Sequence, residues 1–183
     1  MQALVQIDGW KAAFATAGVT GPDDTVATHG DSRHAVRLAS VSKPVTALAV
    51  LIAAEEGTLD LDEPAGPPGS TVRHLLAHAS GLPFHGDVPI AQPGRRRIYS
   101  NEGFRVLGEH LARRAEMGFS DYVRAAVCAP LGLGLDPAGH PGADMRACLD
   151  DVLALGRELL RPTLVAPETL IEMTTVQFPG LDG

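Results

Sequence analysis

The chain has 183 residues, 45% of them hydrophobic and 20% charged, the make-up of a folded globular protein of one domain rather than a disordered or fibrous one. A net charge of -7 leaves no cationic surface for a phosphate backbone, so no nucleic-acid partner is expected. The longest strongly apolar uncharged run, Pro44 to Ala54, falls far short of the roughly 20 residues that span a bilayer, so no membrane partner is expected either.

In chain order, Met1 to Trp10 lacks a basic cluster followed by an apolar run and does not read as a secretory signal, which gives a cytoplasmic expectation. Ala12 to Val19 and Asp24 to His29 are short Ala/Val/Thr-rich segments around the turn residues Gly21-Pro22-Asp23, and predict a β-hairpin within residues 12–30. From Ser40 to Glu56 the apolar residues Val45, Leu48 and Ile52 recur at helical spacing, and Ala47, Ala49, Val50, Leu51 and Ala53 fill the other faces. A helix apolar all round has no solvent side, so this one should be central.

Further helices are expected from a Ser70 or Thr71 cap through Leu75, Leu76 and His78, from an Asn101 cap along Phe104, Leu107 and Leu111, and over 120–129, 150–160 and 167–176. Arg95-Arg96-Arg97 reads as a solvated loop, with a carboxylate-binding rim as the lesser alternative. Cys128 and Cys148 have no metal-like spacing and are expected to be buried, reduced and structural. Strands first and helices afterwards, with few strands for so many helices, make an α+β fold whose sheet is incomplete within this chain.

The chemistry starts at Ser40-Val41-Ser42-Lys43. Residues three apart on a helix share a face, so Ser40 and Lys43 should meet. A serine hydroxyl needs a neighbour to take its proton, and a desolvated amine can assist, whereas arginine, which supplies 13 of the 15 basic residues, cannot release one. The bland alternative is a capping serine and a surface lysine. Against it, Lys43 enters the predicted core helix at its first turn, where an unpaired ammonium would be costly. Ser40 at the helix start would also face backbone N–H groups and the positive dipole end toward charge on an attacked carbonyl. Ser42 is the rival nucleophile, but it adjoins Lys43 in sequence and faces elsewhere on a helix.

Tyr99-Ser100-Asn101 lies at a loop-to-helix junction. A phenolate is stabilised beside an ammonium, so Tyr99 is a candidate general base, and Asn101 offers a donor and an acceptor to a substrate amide. A core tyrosine with an asparagine cap is the alternative.

These residues carry a family resemblance. Leu38-Ala39-Ser40-Val41-Ser42-Lys43 resembles the S-x-x-K motif of class C β-lactamases and related esterases and D-peptidases, within the serine β-lactamase and penicillin-binding-protein superfamily. Tyr99-Ser100-Asn101 is similar to the Y-x-N motif of that group, and the segment from Leu75 to Pro83 to its L-L-T-H-T-S-G-L-P stretch. The resemblance covers residues 12–176. It implies a β-lactamase/transpeptidase-like fold, Ser40 as nucleophile, Lys43 and Tyr99 as proton-transfer partners, Asn101 as substrate contact and a structural His78. With neither a phosphate-cradling Gly loop nor a ligand cluster in the sequence, no cofactor or metal is expected.

The family's third motif, a K-T-G or H-x-G strand, is not found after Asn101. His140-Pro141-Gly142 has suitable letters but sits in a Pro/Gly loop and reads as a decoy. The chain is therefore expected to be a C-terminally truncated serine hydrolase domain, 1–183. Loss of one of two oxyanion donors would cost ~3 kcal/mol of transition-state stabilisation. The expected substrates are esters, amides or lactams, with an esterase first and a β-lactamase or D-alanyl-D-alanine carboxypeptidase second. An impaired binding or interaction module that self-associates through an exposed sheet edge is a further alternative.

Overall fold

A computed structural model describes residues 2–182. After a 3-10 turn over Leu4–Gly9, β1 (Ala17–Thr20) pairs antiparallel with β2 (Thr25–His29), setting Ala17 opposite His29 and Thr20 opposite Thr25 with an irregularity at Val19/Thr20. Met1 lies outside the described residues. The Gly21 N–H donates to the Asp24 carbonyl at 2.9 Å and closes the hairpin turn that the Gly-Pro-Asp sequence predicts. The hairpin rests on α6 (Leu149–Leu160), and Gly18 makes the approach close: a Cβ there would stand 2.8 Å from Leu153 Cδ1.

The central helix α1 spans Ser42–Glu55, with nearly every residue from Ser42 to Ala53 buried, Pro44 and Ala47 excepted. It starts two residues later than the sequence suggests, because Ala39–Val41 forms a 3-10 turn entered through Ala39 at φ 48°. Against α1 pack α3 (Asn101–Arg114), α4 (Phe119–Val123) and the π-helical turn Arg124–Cys128. Leu107 and Leu111 of α3 join Val45, Val50, Val72, Leu75, Val123, Val127 and Met145 in one hydrophobic cluster with almost no exposure. Each such side chain contributes about 1.5–3 kcal/mol by leaving water.

Helix α2 (Val72–Leu76) is capped by Thr71, whose Oγ1 accepts from the His74 N–H. The cap of α3 corrects the sequence expectation. Ser100 Oγ accepts the Gly103 N–H at 2.8 Å, and Asn101 is the first helical residue, which frees its amide for other work. The short α5 (Ala129–Leu131) follows the π turn, and α7 (Pro167–Thr174) begins with proline where the missing N–H costs nothing.

A second strand pair leaves no pattern in sequence because it is only two residues long: β3 (Val36–Arg37) against β4 (Arg146–Ala147). Among the described residues the two strand pairs do not join into one sheet, so the α+β architecture keeps its strands in short antiparallel pairs beside a mainly helical body. No described helix is long and apolar enough to cross a membrane.

Two expectations need correction. Cys128 is buried, but Cys148 is half-buried and polar in use, bonding Asp151 Oδ2 at the start of α6. Arg95 and Arg96 are exposed, whereas Arg97 is half-buried and donates to the Ala77 and Gln177 carbonyls at 2.6 and 2.7 Å, pinning the C-terminal segment.

Candidate active site

Ser40 sits exposed on the 3-10 turn, and the first turn of α1 carries Lys43 into the interior beneath it. Lys43 is only 6% exposed. Its Nζ donates to Ser40 Oγ at 3.2 Å, to Asn101 Oδ1 at 2.6 Å and to the Gly142 carbonyl at 2.8 Å. Three acceptors match the three protons of an ammonium, which is how this charge is accommodated indoors. The amine also lies 4.5 Å from the Tyr99 ring centroid and 5.5 Å from that of Phe104, within cation–π range.

Ser40, Lys43, Tyr99 and Asn101 thus share one place. The Tyr99 hydroxyl is turned toward Ser40 and Lys43 and feels both. Partial burial pushes its pKa up, but hydrogen bonding toward Ser40 and Lys43 and the Lys43 charge together outweigh it, and the net displacement is below the usual phenol value. Asn101 is buried, and its carbonyl end is taken by Lys43, so only the amide nitrogen is left to meet a substrate.

Ser42 is in a different situation. It is completely buried, and its Oγ accepts the Met145 N–H at 3.3 Å. It fastens the 142–147 segment to α1 and is closed to any reactant.

That segment is what sequence reasoning missed. His140-Pro141-Gly142 lies in a turn, not on a strand, so it is no closing strand. Its carbonyls nevertheless reach the site: Gly142 bonds Lys43, and Pro141 accepts from Thr46 Oγ1 at 2.7 Å. Backbone acceptors carry no side-chain signature, and the β3–β4 pairing that delivers them is too short to read. The fold-setting bonds are Leu38 N–H to Met145 O at 2.8 Å and the Arg37–Asp144 ion pair at 2.7 Å.

His78 is also closer than expected. Its ring lies 4.6 Å from that of Tyr99, and its Nδ1 accepts the Ser100 N–H at 3.1 Å, which puts the ring proton on Nε2 and steadies the Tyr99–Asn101 junction. Burial first, and then the Lys43 and Arg97 charges, push its pKa down to about 4. The larger of the described cavities, about 460 Å³, borders Lys43, His78 and Phe104 but neither Ser40 nor Tyr99. Ser40 and Tyr99 are thus exposed and lie outside that cavity, whereas the buried Lys43 borders it.

The chain is 47% identical to a β-lactamase (Mb2281c) from Mycobacterium bovis, with a TM-score of 0.96 over 98% of this chain and 68% of that one. It is 28% identical, over 72% of its own length and 43% of the relative's, to the D-alanyl-D-alanine-carboxypeptidase/endopeptidase AmpH of Escherichia coli (strain K12). A D-stereospecific amidohydrolase from Streptomyces sp. shares the fold at 21% identity, with a TM-score of 0.80 over 95% of this chain and 76% of that one. The chain spans less than half the length of the curated relatives it matches. The family model described as Beta-lactamase matches residues 1–183, and the chain belongs to that family.

Proposed function

We propose that the chain acts as a serine hydrolase of the β-lactamase-related type, with Ser40 forming an acyl-enzyme on an ester, amide or lactam. The observation that carries this reading is the buried Lys43 amine, bonded inside the protein by Asn101 and Gly142 and presenting its third proton to the exposed Ser40 hydroxyl. Because the Lys43 protons are all engaged, Tyr99 is the group available to accept one. As phenolate it takes the Ser40 proton while Oγ bonds the substrate carbonyl carbon, and it returns that proton to the leaving oxygen or nitrogen as the old bond breaks. Water then attacks the acyl carbon, giving its proton to Tyr99, which passes it to Ser40 Oγ as the acyl–Oγ bond breaks; the carboxylic acid departs, and the Ser40 hydroxyl and the Tyr99 phenolate are restored. The positive end of α1, just beyond Ser40, favours the negative charge that builds on the carbonyl oxygen. The Asn101 amide nitrogen holds the substrate.

The test is covalent labelling by a fluorophosphonate, mapped by mass spectrometry. Adduct on the Ser40 peptide, absent in Ser40→Ala and kept in Ser42→Ala, is the expected result. No adduct on the wild-type chain would reject the hydrolase and leave an impaired binding module. A D-alanyl-D-alanine carboxypeptidase or β-lactamase is the second reading, favoured by the likeness to AmpH. Turnover of a D-alanyl-D-alanine peptide or a chromogenic cephalosporin in preference to simple esters would establish it.

A further inference from the structure

Phe84 stands beside the site with its ring stacked on that of Tyr99, centroids 5.9 Å apart and planes 23° from parallel. Both rings are open to solvent, Phe84 44% and Tyr99 46% exposed, and Val41, next to Ser40 in the chain, is 48% exposed. Folding gains little from a phenyl ring left in water. Apolar exposure gathered around a reactive hydroxyl is the mark of a binding surface.

The platform is held firmly. Ser100 Oγ donates to the Pro83 carbonyl at 2.6 Å, tying the residue before Phe84 to the residue after Tyr99. At the base of the loop, the Ile90 N–H donates to Gly81 O at 2.9 Å and the Gly94 N–H to Ala79 O at 2.8 Å. The two rings are therefore carried on a braced loop rather than a free one.

Tyr99 decides which part of a substrate meets this surface. To return a proton it must come within hydrogen-bond reach of the leaving oxygen or nitrogen, so the group attached to that atom extends alongside the Tyr99 and Phe84 rings. The acyl group, bonded to Ser40 Oγ, stays on the other side of the breaking bond. We propose that Phe84 and Tyr99 form a leaving-group subsite for an aromatic or bulky apolar alcohol or amine, with Phe84 setting specificity for it. The inference rests on the serine-hydrolase reading above and names its substrate class: esters or amides whose departing half carries an aryl or aralkyl group. In the acylation step the Ser40 Oγ–C bond forms, the C–O or C–N bond breaks, and the alcohol or amine departs with the proton from Tyr99.

Ethyl acetate and 2-phenylethyl acetate test this, since they transfer the same acetyl group and their alkoxides differ little in basicity. Acetate release by the purified chain is followed for each, with fluorophosphonate labelling of Ser40 run alongside. The expected result is faster turnover of the phenylethyl ester by wild type, with the ratio of the two rates falling about three- to tenfold in Phe84→Ala and largely kept in Phe84→Tyr. Equal rates in wild type, or a preference that survives Phe84→Ala, would overturn the subsite. So would the same Phe84-dependent gain with ethyl phenylacetate, which moves the ring to the acyl half. Labelling of Ser40 without the preference rejects the subsite alone, whereas no labelling rejects the hydrolase and the subsite with it.

Discussion

Lys43 Nζ and the Gly142 carbonyl oxygen lie 2.8 Å apart although 99 residues separate them. The bond exists because β3 and β4 zip the chain just before Ser40 to the chain just after Gly142. A Cβ on Gly142 would stand 2.9 Å from Phe104 Cβ and 3.4 Å from Lys43 Nζ. Gly142→Ala is therefore expected to push the carbonyl off the amine and slow fluorophosphonate labelling of Ser40 on the order of tenfold, the worth of one hydrogen bond to a charged group. Circular dichroism should show the helices intact.

Labelling should also depend on pH through Tyr99. Its pKa lies below the usual phenol value, so the phenolate fraction, and with it the rate, rises with pH and passes its midpoint below pH 10. Tyr99→Phe is expected to remove that rising limb and to slow labelling by about 10²–10⁴-fold, the range for a lost general base. A pH–rate profile of both proteins checks this.

His78 gives a separate pH signature, in stability. Unfolded, it binds a proton near pH 6.5; folded, only near pH 4. Between those values the unfolded state holds more protons, so stability is full above about pH 6.5 and is lost as pH falls toward 4. The loss amounts to at most about 3 kcal/mol, reduced by solvent reaching the ring. His78→Asn, which tolerates the left-handed φ of 59° found there, should flatten the dependence in urea unfolding at pH 4.5 and 7.

Gly81 is held at φ 86°, and a Cβ on it would fall 2.0 Å from the Ala91 carbonyl oxygen. Since backbone rather than a flexible side chain is in the way, Gly81→Ala is expected to cost about 2–4 kcal/mol in chemical denaturation. It should also loosen the loop that carries Phe84.

Much of this protein was legible before any coordinates. The run from Ser42 to Glu55 is apolar on all sides and made a central helix, and the three-residue spacing of Ser40 and Lys43 brought hydroxyl and amine together. Both are local consequences of helical period. The same local reasoning misjudged the cap of α3, where Ser100 and Asn101 are equally good candidates by type and only the tertiary pull of Lys43 on the Asn101 carbonyl separates them.

What the sequence by itself determined was the set of elements and the Ser40–Lys43 hydroxyl–amine pair, because these follow from periodicity within a few residues. Tertiary structure alone decided which backbone carbonyls surround the amine and which ring stands over Tyr99. Those depend on contacts between distant segments, set by strand pairs too short to leave a pattern and by backbone atoms that every residue shares.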